Sequence, residues 1–81
     1  PGRMVHANLD GLGLLDFEWR QGRIRRAVFH AKESAFLSLD LPDAKTFRLR
    51  TAKHERGRRM DAALEWKAEK GSVYFLDRFE K

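Results

Sequence analysis

Eighty-one residues with 42% hydrophobic, 11% aromatic and 36% charged side chains describe one small folded domain and exclude disordered and collagen-like classes. A chain of this length buries about 60–65% of the surface its unfolded form exposes, so a full core and a deep catalytic cleft compete for the same apolar side chains. The net charge of +5 comes from 17 bases and 12 acids, and the lack of cysteine excludes a disulfide framework and a thiolate metal site while leaving the compartment open.

No apolar run approaches the ~20 residues of a membrane span, and Pro1-Gly2-Arg3-Met4 leads into mixed sequence with no secretory apolar region. Pro1 is not a natural start, so residues 1–81 are expected to be a single domain excised from a larger protein. Period 2, not 3.6, dominates the pattern of apolar residues. A first strand is predicted over 3–8, ended by the turn Asp10-Gly11-Leu12-Gly13. Over 14–20, Leu15, Phe17 and Trp19 alternate with Asp16, Glu18 and Arg20, as in a strand with one buried and one wet face. Gln21-Gly22 leaves two residues before the next strand pattern, which suits a tight primed turn with Gly22 at positive φ. The strand over 23–32 changes phase. Ile24 and Val28 point one way and Ala27, Phe29 and Ala31 the other, so either a β-bulge near Arg25-Arg26 or two partly buried faces is expected.

After a break at Glu33-Ser34, Leu37, Leu39 and Leu41 alternate with Ser38 and Asp40 over 35–41, and Pro42-Asp43-Ala44 turns the chain. Phe47 and Leu49 alternate with Thr46, Arg48 and Arg50 over 45–51. Ala62, Leu64 and Trp66 alternate with Ala63, Glu65 and Lys67 over 61–67, and Glu69-Lys70-Gly71 is expected to close a second hairpin. The last strand is predicted over 72–79, where Val73–Leu76 is apolar on both faces and therefore suits a central position. One helical rival exists over Thr51–Lys70, with Met60, Leu64 and Lys67 at helical spacing, but its basic N-terminal half and Gly57 count against it. About seven short antiparallel strands give an all-β fold, a small β-sandwich with Greek-key or jelly-roll-like connections, or a small barrel.

The charge is concentrated. Lys45, Arg48, Arg50, Lys53, Arg56, Arg58 and Arg59 stand against the single acid Glu55 in Lys45–Arg59, and the rest of the chain is close to neutral. One reading is a contact site for phosphate, an anionic glycan or an acidic partner. The other is a solvated loop that keeps a β-protein soluble and blunts an edge strand.

No reaction centre is legible. His6, His30 and His54 fit no zinc spacing, and His30 reads as a partly buried structural residue. Asp16 and Glu18 are expected to meet Arg23 and Arg25 across the turn as ion pairs. Ser34, Ser38 and Ser72 lack a nucleophile-elbow context, and Gly11-Leu12-Gly13 is not followed by the third glycine and helix of a nucleotide loop. No catalytic, cofactor or metal residue is therefore assigned. Trp19 and Trp66 fall on the apolar phase of their strands and read as core. Phe36 and Tyr74 are the candidates for exposed, sugar-stacking aromatics. Arg48 and Arg50 share a face, but their own strand has no aromatic on it, which a nucleic-acid-binding β-surface should interleave.

The run Leu14-Leu15-Asp16-Phe17-Glu18-Trp19-Arg20-Gln21-Gly22-Arg23-Ile24 resembles the "F-x-V-D-x-E-W-K-D-G-K-L" hairpin near the C-terminus of family 95 glycoside hydrolases, the inverting α-L-fucosidases. Ala27-Val28-Phe29-His30-Ala31 resembles that family's "A-x-I-x-S", Thr46-Phe47-Arg48-Leu49-Arg50 its "C-x-L-R" and Gly71-Ser72-Val73-Tyr74-Phe75-Leu76 its closing "G-x-x-Y-x-L". The motifs follow the family's order over most of the chain. Departures are Asp10-Gly11-Leu12-Gly13 in place of "R-G-G", Leu41-Pro42-Asp43 in place of glycines, and the basic stretch Lys53–Arg59. They leave room for the C-terminal domain of a related carbohydrate-active enzyme. The resemblance implies a non-catalytic β-sandwich packed against an upstream (α/α)6 catalytic barrel, whose carboxylates have no counterpart in this chain.

Two functions are thus expected to compete. The first is an accessory domain that stabilises a neighbouring catalytic domain and could touch carbohydrate. The second is a small basic β-barrel that binds nucleic acid or another polyanion through Arg48, Arg50, Lys53, Arg56, Arg58 and Arg59. Neither calls for a cofactor or a membrane.

Overall fold

The alternation of apolar and polar residues is realised as strands in a computed structural model that describes residues 3–8, 11–38, 44–51 and 54–81. Eight strands and no helix occur among the described residues. They are β1 (Arg3–Asn8), β2 (Gly13–Arg20), β3 (Arg23–Ala31), β4 (Ala35–Leu37), β5 (Thr46–Thr51), β6 (His54–Asp61), β7 (Trp66–Ala68) and β8 (Val73–Glu80). All pairings are antiparallel. Six strands form one sheet in the order β1-β2-β3-β8-β5-β6, and β4 and β7 form a second. The fold is all-β, a small sandwich with one broad and one narrow layer.

The inner face of the broad sheet carries Ala27, Phe29 and Ala31 from β3, Tyr74 and Leu76 from β8, and Phe47 and Leu49 from β5, all buried. Trp66 of β7 closes over it, with its ring 6.4 Å from Phe29 and 5.1 Å from Tyr74. Edge-to-face and tilted aromatic contacts of this kind add to simple area burial. β8 lies between β3 and β5, the central place that its two apolar faces require.

Three irregularities set which residues reach this core. Between β2 and β3, Glu18 pairs with Arg26 but Trp19 with Ile24, so Arg25 is the extra residue. This is the bulge that the phase change of the third strand predicts, and it puts Ile24 on the same face as Ala27 and Phe29. Between β5 and β8, Thr46 pairs with Glu80 and Arg48 with Asp77, which leaves one extra residue on β8. Arg78, in this interval, has φ 50°. The bulge turns Phe79 inward, 5.8 Å from Phe47. Between β5 and β6, Leu49 pairs with Arg58 and Thr51 with His54, and Gly57 in the longer arm has φ 66°. The turn at Gln21 (φ 54°) and Gly22 (φ 74°) is the expected primed hairpin.

Two expectations are corrected. The stretch 61–67 is not one strand. β6 ends at Asp61, whose Oδ1 accepts from the Ala63 amide (2.8 Å) and whose carbonyl accepts from the Leu64 amide (3.1 Å). An Asp side chain that binds the backbone two residues on favours a turn over a strand, and Leu64 is left 62% exposed. The basic stretch before it is a strand, β6, rather than a loop or part of a helix. The turn at 69–71 does not close a hairpin either. It hands the chain from β7 in the narrow sheet to β8 in the broad one, with the Ser72 amide donating to the Glu69 carbonyl at 3.1 Å. β4 is described only as Ala35–Leu37, and residues 39–41 of its predicted span lie outside the described residues.

Candidate functional site

Of the basic candidates, Arg48, Arg50 and Arg59 lie on the outer face of the broad sheet, because side chains one position off the core phase point there, whereas Arg58 stands opposite the buried Leu49. Register lines up Glu18, Arg26, Asp77, Arg48 and Arg59 across β2, β3, β8, β5 and β6. Charge alternates along most of this row. Arg48 grips Asp77 through both ends of its fork, Nε donating to Oδ1 and Nη2 to Oδ2, each at 2.8 Å. Arg50 Nη2 donates to the same Oδ2 at 3.1 Å. Arg26 Nη2 reaches Glu18 Oε1 at 3.4 Å. Arg59 Nη2 meets Glu80 Oε2 at 2.6 Å and its Nη1 donates to the Arg78 carbonyl at 2.7 Å.

Asp77 is the hinge of this network. The Arg48 hydrogen bonds hold its carboxyl below the usual carboxylate range, with desolvation opposing and the Arg50, Arg48 and Arg78 charges assisting. The Arg48 guanidinium is correspondingly pushed up, first by its hydrogen bond to Asp77. A carboxylate with a lowered pKa stabilises the fold above its unfolded pKa, and that contribution fades as the pH falls through the folded value. Asp77→Asn should therefore be less stable than the parent at neutral pH, with the two urea midpoints converging as the pH falls through and below the ordinary carboxylate range. A constant gap between them across that range would show that the charge of Asp77 contributes nothing.

The six basic candidates separate into three groups. Arg48, Arg50 and Arg59 are engaged by acids of β8. Arg56 and Arg58 are exposed on β6 and make no ion pair among the described residues. Lys53 lies outside them. The structure also supplies the aromatic that β5 lacks, since the Arg50 guanidinium carbon lies 5.9 Å from the ring centroid of Phe75. That neighbour comes from β8, so no local signal in β5 could have announced it. The Arg50 Nε is buried without a partner.

Of the aromatic candidates, Phe36 is 66% exposed on β4, opposite Lys67. Tyr74 is corrected. It is only 6% exposed and its hydroxyl accepts from the Glu69 amide at 2.7 Å, so it offers no stacking face. Trp66 is core, as predicted, although its Nε1 has no partner. Trp19 differs from expectation. It is half-buried, outside the buried cluster, and contacts Phe17 edge-on at 6.0 Å. The Arg25 bulge also redirects the expected ion pairs. Glu18 meets Arg26, Arg25 donates to Gln21 Oε1 at 3.4 Å, and Asp16 sits opposite Val28. His30 is exposed rather than partly buried, being on the outer face. Among the described residues no three His, Asp or Glu side chains group as metal ligands, and no helix is long and apolar enough to cross a membrane. Comparison with known protein families, curated proteins and solved structures gives no match to this chain.

Proposed function

We propose that this chain is a non-catalytic accessory β-domain of a glycoside hydrolase, fucosidase-like by its resemblance, that packs against and stabilises the catalytic domain of the same polypeptide and could touch glycan. The observation that carries this reading is the incomplete second layer. Two strands of three residues face six, and Phe17, Trp19 and Ile24 are left half-covered on the inner face. Arg3 is in register with Trp19, so the chain enters β1 beside that strip. A domain that precedes β1 would emerge where apolar surface remains to be covered.

Trp19→Ala tests it. Within the β-domain the change should cost only about 1–2 kcal/mol, for a half-buried ring with one aromatic neighbour. In the full polypeptide it should also lower the melting temperature of the catalytic domain. Unchanged melting of the catalytic domain would count against packing through this face.

A second reading, a polyanion-binding surface, is favoured by Arg56 and Arg58, which are exposed and without acidic partners among the described residues. Arg48, Arg50 and Arg59 are engaged by the β8 acids Asp77 and Glu80, so the contact would lie at the β6 edge and not across the sheet face. Affinity for oligo-dT should then fall steeply with salt, and Arg56→Ala with Arg58→Ala should flatten that slope. Binding that is indifferent to salt would sink this reading.

A further inference from the structure

We propose that the free edge of β6 is a docking site for an acidic, extended segment of a separate protein, which adds to the broad sheet as a further strand. The inference rests on the basic-edge reading above and goes beyond it in naming backbone pairing as the means of recognition. β6 is bonded to β5 on one side and to no strand on the other among the described residues. In an antiparallel pair every second residue turns its N–H and C=O away from its neighbour, so 58–61, which keep regular register with 46–49, present unpaired backbone groups at this edge.

The side chains select the occupant. Arg56 and Arg58 are exposed, two positions apart and without acidic partners among the described residues, and Arg59 lies next to them. Two copies of β6 set edge to edge would bring arginines against arginines, so self-pairing is opposed. The same charges favour a strand with carboxylates at alternate positions. One device thus excludes the wrong partner and attracts the right one.

Position argues for a separate protein over a domain attached ahead of β1. β1, where the chain enters, is at the opposite edge, five strand spacings or roughly 24 Å away. A domain attached ahead of β1 covers the Trp19 end and leaves β6 open.

The probe is a labelled peptide of alternating Glu and Val, titrated into the full chain by fluorescence anisotropy. Methylating its alternate backbone amides removes main-chain donors while keeping every charge, and should weaken binding about tenfold. Arg56→Ala with Arg58→Ala should weaken it about threefold to tenfold. Arg56→Glu with Arg58→Glu should abolish it and confer binding to the matching Lys-Val peptide, with circular dichroism reporting that the fold is kept. Equal affinity for the methylated peptide would overturn strand addition while leaving a salt-dependent polyanion surface standing. If neither peptide nor oligo-dT binds, both readings fall together.

Discussion

Phe29→Ala should destabilise this domain by about 3–5 kcal/mol, the range for removing a fully buried aromatic ring. Phe29 is 2% exposed and is the joint between the two layers. Its ring meets Trp66 of the narrow sheet at 6.4 Å with near-perpendicular planes, and it also lies over Gly13 at the start of β2. A cavity there loosens both the sheet pairing and the lid formed by β7. A domain of this size has about 5–15 kcal/mol of total stability, toward the lower end, and each kcal/mol moves the melting temperature by about 4–8 °C. The variant should therefore be largely unfolded near body temperature. Phe36→Ala, at a ring 66% exposed, should stay within about 0.5 kcal/mol of the parent. Denaturant melts of both variants check the contrast. A loss below about 1.5 kcal/mol at Phe29 would mean that the narrow sheet does not rest on the broad one.

What the sequence discloses depends on the range over which each signal acts. The primed turn at Gln21-Gly22, the bulge at Arg25 and the central place of β8 are written in spacings of a few residues, and all three are read correctly. The turn after Asp61 is masked by an alternation, Ala62-Leu64-Trp66, that fits a strand equally well. Asp61 and the exposed Leu64 decide it through a local side-chain hydrogen bond that a hydrophobic pattern does not register. The layer assignment fails for a different reason. Whether β7 pairs with β8 or with β4 depends on contacts across thirty residues, and the turn residues are compatible with both. The site is affected most. Arg48 and Arg50 are visible as a basic pair on one face, but Asp77, which binds both, and Phe75, which lies beside Arg50, come from a strand more than twenty residues away. A stretch that reads as unpaired positive charge is therefore, in its β5 half, an ion-paired network in which Arg48 and Arg50 share Asp77. Among the described residues, Arg56 and Arg58 of β6 keep the free charge that the sequence suggests for the whole.

Gly57→Ala should cost on the order of 2–4 kcal/mol, with the loss centred on the β5–β6 hairpin. Two penalties combine. Gly57 has φ 66°, where an L side chain costs about 1–2 kcal/mol. A Cβ there would also lie 2.5 Å from the Leu49 carbonyl oxygen and against Cγ of Arg50. Backbone cannot yield as a flexible side-chain end can, so the two strands must separate locally. Gly71→Ala isolates the first penalty, since Gly71 has φ 86° with open space around its Cβ position. It should lose only the backbone cost, about 1–2 kcal/mol. The difference between the two variants measures the close approach alone. That approach has a consequence for the site. The stem of Arg50 lies over Gly57 while its head donates to Asp77 and lies beside Phe75, so lifting the stem moves the guanidinium from both. Gly57→Ala should therefore lose part of the pH-dependent stability assigned to Asp77, and Gly71→Ala should keep all of it. Urea midpoints of the two variants at neutral and acidic pH separate these outcomes. If both keep the full pH response, Gly57 serves the hairpin backbone and not the placement of Arg50.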